Sequence, residues 1–156
     1  MSTDTQSLRA SAWNVDSYHW ETREWSPWAH TRIKELLNSI NIPVTETNGQ
    51  LSLTSVSSIS GDASTALRKG KIRYFFELEF RVGLKYEVED SEKGTLSCSG
   101  EYSCKIAGDE DPSEWEFTFK PIGKSALTKT LKELSPNAIP IIKEHIAIFV
   151  DELSKK

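Results

Sequence analysis

The chain has 156 residues, of which 37% are hydrophobic and 10% aromatic, with five Trp, six Phe and four Tyr. By length this is one domain with enough apolar material for a core that needs no staples, which excludes a disordered chain outside its ends. A formal net charge of −4 argues against a general binder of nucleic acid or anionic membrane, and no apolar run has the length of a signal peptide or a membrane span, so the expected setting is a reducing cytoplasm.

Residues 1–10 are small and polar and are expected to fray. Residues 14–25 place Tyr18, His19, Trp20 and Trp25 in a polar segment, just after Trp13, with neither a helical nor a strand period. We read residues 1–25 as an extended arm whose rings pin it to the body, and residues 26–156 as a single α+β domain. Ser26-Pro27 predicts a helix start, with Ser26 accepting free backbone N–H groups and Pro27 at the first helical position. Ala29, Ile33, Leu36, Leu37 and Ile40 give one apolar stripe, ending near Asn41 before Pro43. Leu51 and Leu53 open a first strand, and Val56 and Ile59 imply a change of face through a bulge.

Gly61 to Gly70 reads as a polar loop carrying Arg68, Lys69 and Gly70, followed at once by Lys71 and the clearest strand in the chain. Every even position from Ile72 to Tyr86 is apolar and most odd ones are charged, a period of two with one face buried and one wet. Drawn out at roughly 3.3 Å per residue this strand is about 53 Å long, against about 39 Å for the diameter of a compact sphere of this chain length. Unless it bends at Gly83, the body is elongated with the basic loop at one end. Phe75 is the exception on the wet face, either a cross-strand partner or an anchor for another protein, flanked by Arg73 and Glu77.

After a turn at Asp90–Gly94, Leu96, Cys98, Tyr102, Cys104 and Ile106 line one face of a third strand. An acidic turn follows, and Trp115, Phe117 and Phe119 give a fourth strand that Pro121 ends. On their strand Cys98 and Cys104 lie about 20 Å apart, too far to bridge. Ala126 to Leu134 is a short helix. Ser135-Pro136 then starts a second long one, with a stripe of Ile139, Ile142, Ile146, Phe149, Val150 and Leu153. The predicted fold is α+β: an elongated four-stranded antiparallel meander flanked by an N-terminal and a C-terminal helix.

Catalytic machinery is not in evidence. His19, His30 and His145 sit on unrelated elements, no Cys/His spacing matches a zinc site, and there is no GxSxG, Walker-type loop or HExxH, so neither an enzyme nor a cofactor is expected. Asp109, Glu110 and Asp111 lack the EF-hand pattern. What remains is Asp62, the Arg68-Lys69-Gly70-Lys71 run and Phe75. Such a run is either a solubilising loop or a contact, since Gly lets a partner backbone come close and Arg forks onto carboxylates. Composition leaves three binding readings: a protein-docking module, a single-stranded nucleic-acid module using the basic loop and the sheet aromatics, and, on aromatic content alone, a small-ligand carrier.

Ser60-Gly61-Asp62, the Arg68-Lys69-Gly70-Lys71 loop, the aromatic segment from Asn14 to Trp20, and the order helix, meander, helix resemble the N-terminal domain of the activators of the heat shock protein 90 ATPase. The resemblance implies a monomeric, non-enzymatic co-chaperone that docks on the chaperone's middle domain, with the N-terminal domain as a second contact, and that uses its basic loop to remodel the chaperone's catalytic loop; no nucleic acid or membrane partner is implied. Residue by residue it places Arg68, Lys69, Gly70 and Lys71 against the chaperone, Asp62 at the start of the same loop, and Phe75 at an apolar contact position, with Arg73 where a relative can have an aliphatic. The family's arm reads Asn-x-Asn-Asn-Trp-His-Trp; here Asn14, His19 and Trp20 match as a secondary contact, while Asp16, Ser17 and Tyr18 depart. Larger members continue into a second domain.

Overall fold

In a computed structural model, which describes residues 21–44, 49–90, 92, 94–123 and 125–156, the elements in order are β1 (Glu21–Glu24), α1 (Ser26–Leu36), β2 (Ile40–Ile42), β3 (Gln50–Arg68), β4 (Lys71–Asp90), β5 (Gly94–Ala107), β6 (Glu116–Ile122), α2 (Thr128–Leu134) and α3 (Ala138–Ser154). All strand pairs are antiparallel. The expected meander is β3-β4-β5-β6, and the two short strands β1 and β2 both add to the outer edge of β3.

The alternation along β4 sends Phe76, Leu78, Phe80, Val82, Leu84 and Tyr86 into the core, where each is at most 5% exposed. Helices α1 and α3 cover this inner face over β3 and β4, and α2 covers β5 and β6. Along α3, Ala138, Ile142, Ile146, Phe149 and Leu153 are buried, steps of three and four that keep them on one side of the helix. An aromatic layer locks α3 to the sheet near the β3–β4 turn: Phe149 stacks on Trp28 at 5.5 Å and meets Phe76 edge-on at 5.6 Å, and Phe76 in turn meets Trp115 at 6.3 Å. The buried Tyr102 hydroxyl donates to the Ser135 carbonyl at 2.6 Å, so its polar tip is satisfied.

β4 runs through Gly83 unbroken for 20 residues, roughly 60 Å at about 3.3 Å per residue, whereas the 17 residues of α3 span roughly 25 Å at about 1.5 Å per residue. The sheet therefore runs on past the helices at its turn end, where Tyr74 is 36% exposed, and the molecule is elongated. Cys98 and Cys104 are free and buried opposite Tyr86 and Phe80, and burial pushes both thiols up.

Several local expectations are corrected. Helix α1 stops at Leu36; Ser39 takes φ 54° and donates its N–H to the Thr54 carbonyl, which folds Ile40 back as β2 opposite Leu53. Ser26 is the first helical residue and does not cap the helix. Its own N–H is met by the Glu24 carboxylate at 3.2 Å, and its hydroxyl is engaged by Glu24 and by the Ala63 amide. Residues 61–70 are not a loop but the last part of β3 and a two-residue turn. The alternation is present in Ala63, Thr65 and Leu67, all buried, but the first two are too small to announce a core face. Pro121 lies inside β6, opposite Gly100, where an edge strand tolerates its missing N–H. Residues 21–25, assigned to the arm, belong to the body: β1 pairs with Ser64–Leu67, and the Trp25 indole donates to Thr65 Oγ1 at 2.8 Å. The bulge stands as expected, as register shifts on either side of Val56.

Gly61 follows those shifts with φ +108°, and a Cβ there would be driven onto the Glu77 carbonyl oxygen of β4. Gly61→Ala should therefore lower stability by about 2–4 kcal/mol, the sum of an unfavourable φ and a forced strand separation, read as a shift of the urea midpoint at unchanged m-value.

Candidate functional site

Arg68 pairs with Lys71 across a turn whose two central residues, Lys69 and Gly70, have φ of 52° and 76°. Two positive φ values are what a type I′ hairpin demands, and its right-handed twist suits long strands. Gly70 meets the demand freely. Lys69 does so against its preference, in a position where Asn, Asp or Gly is usual. Lys69, Gly70 and Lys71 are exposed at the end of the hairpin.

From the turn, Lys71, Arg73, Phe75, Glu77 and Glu79 follow one another on the open face of the sheet. Phe75 is 53% exposed. It faces Ser64 on β3 and has no β5 neighbour, because pairing between β4 and β5 begins at Glu77. On the inner face Tyr74 is also exposed, at 36%, beside a hollow that it shares with Lys143, Ala147 and Val150 of α3. Asp62 stands directly opposite Glu77, about 20 Å along the strand from the turn at roughly 3.3 Å per residue. The structure thus groups Asp62 with Phe75 and separates it from the basic turn whose loop it was expected to open.

The sequence reading missed what lies around Asp62. Asp62, Glu77, Glu79, Glu110, Glu114 and Glu116 line an open trough of about 520 Å³, with Lys105 as the cation on its wall, 3.7 Å from Glu79. Glu114 is brought there by a 3-10 turn that Asp111 caps, its side chain accepting from the Ser113 amide at 2.9 Å, a bond that holds the Asp111 carboxyl below its ordinary value. Carboxylates directly opposite one another on adjacent strands weaken the pairing, so the trough is a surface that an external cation relieves. The signal was present in the glutamates of β4 and the acidic run 109–114, but only strand register shows that they converge.

Asn14, His19 and Trp20 lie outside the described residues, so the arm contact has no geometry to report. Among the described residues no group of three His, Cys, Asp or Glu is arranged to hold a metal ion, and no helix is long and apolar enough to cross a membrane. For a nucleic-acid strand, the stacking rings are on the wrong side: Phe76, Phe80, Tyr86 and Tyr102 are buried under the helices, and Phe75 is left beside an acidic trough.

The fold and this face together define a class: an α+β domain whose long, half-open sheet carries a basic turn, an exposed aromatic and an acidic trough in line. The chain belongs to the family described as "Activator of Hsp90 ATPase, N-terminal", which matches residues 22–156. It is similar to "Activator of 90 kDa heat shock protein ATPase homolog 1" from Homo sapiens, 25% identical over 146 residues that make up 93% of this chain and 41% of that protein. It is also similar to "Hsp90 co-chaperone AHA1" from Saccharomyces cerevisiae, 26% identical over 134 residues, 85% of this chain and 36% of that protein, and to "Hsp90 co-chaperone HCH1" from the same yeast, 30% identical over 80 residues, 51% of this chain and 52% of that protein. The chain thus spans between 36% and 52% of the length of these three relatives. The crystal structure of Aha-1 from Plasmodium falciparum has the same fold, with a TM-score of 0.68 over 86% of this chain and 88% of that one at 19% identity.

The turn geometry yields a test free of any partner. Lys69→Asn places the preferred residue at a positive-φ position, so the hairpin should be unchanged or more stable by up to about 1 kcal/mol, measured by thermal unfolding. A loss of stability would show that the lysine side chain itself supports the turn.

Proposed function

We propose that this chain is a co-chaperone that binds Hsp90 and stimulates its ATPase without itself performing chemistry. Family membership supports the partner. The observation that carries the mechanism is the line of unlike surfaces on one sheet face: Lys69 and Lys71 at the turn, Phe75 next, and the trough around Asp62 beyond. Residues 26–156 dock on the chaperone's middle domain. Phe75 supplies the apolar anchor and the trough receives a basic surface, while Arg68, Lys69, Gly70 and Lys71 reach an acidic, mobile catalytic segment and hold it in its ATP-hydrolysing arrangement. Asn14, His19 and Trp20 make a secondary contact toward the N-terminal domain. The chain acts in the cytoplasm as a monomer, one copy per site.

The deciding measurement is a coupled ATPase assay with the cognate chaperone; neither binding nor stimulation at about tens of micromolar, the range of a weak transient contact, would end the reading. Two classes of variant should separate. Lys69→Asn and Lys71→Ala remove charge and little buried area, so affinity should fall by no more than about tenfold while maximal stimulation falls much further. Phe75→Ala should weaken affinity by about 1–3 kcal/mol as a central anchor, with stimulation recovering at saturating concentration. Lysine variants that stimulate normally once saturated would reduce the turn to a tether.

A further inference from the structure

The part of β3 that bears Asp62 has an incomplete edge. β2 pairs with Leu51–Leu53 and β1 with Ser64–Leu67, so among the described residues the stretch 54–63 has β4 on one side and no strand on the other. The corner between β1 and α1 fills the gap around Asp62. The Trp25 N–H donates to the Ala63 carbonyl at 2.8 Å, the Ala63 N–H donates to Ser26 Oγ at 3.0 Å, and His30 Nε2 lies 2.9 Å from the Gly61 carbonyl oxygen. A carbonyl only accepts, so the Nε2 of His30 carries the proton. The peptide groups on both sides of Asp62 are thus gripped from the corner, while the Asp62 side chain faces the other way into the trough.

The corner is itself held. Trp25 donates its indole N–H to Thr65 Oγ1, Lys156 places its ammonium 4.4 Å from the Trp28 ring centre and 5.0 Å from that of Trp25, and Arg32 forks onto Glu152 of α3 at 2.6 and 2.9 Å.

We infer that Ser26 and His30 are positioning residues for Asp62: they fix the backbone of the docking face where the strand has lost its ladder, just past the bulge and at the positive-φ Gly61. Side-chain bonds from a helix here replace the regular inter-strand bonds, so the aim of the Asp62 carboxylate is set by α1. This rests on the proposed docking reading and makes the helix side of the domain a determinant of partner affinity with no partner contact of its own.

The test is a double-mutant cycle on the affinity of the whole chain for Hsp90, measured by calorimetry. His30→Ala and Ser26→Ala should each weaken binding about three- to tenfold, the worth of one hydrogen bond, and should have no further effect in an Asp62→Ala background. His30→Gln, which can still donate, should recover at least half of the loss, and the Ala63 amide should exchange faster in Ser26→Ala, which reports the grip independently of the chaperone. The same loss in both backgrounds would show a merely structural role and overturn the inference. So would full affinity in His30→Ala and Ser26→Ala when Asp62→Ala is weakened. If Asp62→Ala binds normally while Lys69→Asn still loses stimulation, the docking reading stands and this inference falls; no binding by the unsubstituted chain overturns both.

Discussion

The structure depends on a mismatch of lengths. β3 and β4 are paired from Gln50 opposite Glu87 to Arg68 opposite Lys71, while the helices that bury their inner face derive from 11, 7 and 17 residues. A helix rises less than half as far per residue as a strand. The apolar alternation of β4 therefore outruns its cover, and past Phe76 the inner face ends in the exposed Tyr74 and the half-buried Ile72. A hairpin that projects this far is held by the aromatic layer of Trp28, Phe149, Phe76 and Trp115 and, along its outer edge, by β1, which pairs as far as Leu67. The reach of the basic turn is a consequence of strand length, and because the three helices pack on the inner face, Phe75 and its neighbours on the opposite face stay exposed.

Edge management explains the rest of the architecture. A 19-residue strand at the edge of a sheet would offer a long row of unpaired backbone groups. The chain covers it in pieces, with β2 near one end, β1 near the turn, and the corner of α1 between them. Each piece is short, and the register shifts around Val56 fall in the interval between β2 and β1. The outer edge at β6 is protected differently, by its short span, its Pro121 and its charged Glu116 and Lys120.

Much of this was legible in the sequence. The period of two in β4 and the stripe of α3 are strong because large apolar residues recur at fixed steps, whereas Ser135-Pro136 opens only a 3-10 turn and α3 begins at Ala138. The last part of β3 was illegible because its inward residues are Ala63 and Thr65, kept small where Trp25 and α1 come close. For the same reason the sequence makes the basic residues look like part of a loop, although their chemistry is visible in it. Ile40 fitted a helical stripe equally well as a strand, and only the positive φ at Ser39 decides. The trough could not be read at all: Asp62, Glu79 and Glu116 lie on three different strands, and register is a property of the pairing, not of any one segment.

The arrangement of charge along the open face constrains how any partner can sit. The turn and the trough are about 20 Å apart by strand rise, more than twice the Debye length of about 8 Å at physiological ionic strength. They therefore act as two separate patches of opposite sign, each meeting its own counterpart, and neither neutralises the other through solvent. A partner surface with acidic and basic patches at the same spacing can be matched in one direction only. Reversed, it sets lysines against cations at the turn and carboxylates against carboxylates in the trough, an arrangement that costs several kcal/mol in a close interface. Phe75, between the two, gains from burial in either direction, so it contributes affinity without polarity. On the proposed docking reading, direction comes from the charges and adhesion from the ring, and the basic turn is thereby delivered to one end of the partner's docking surface and not the other.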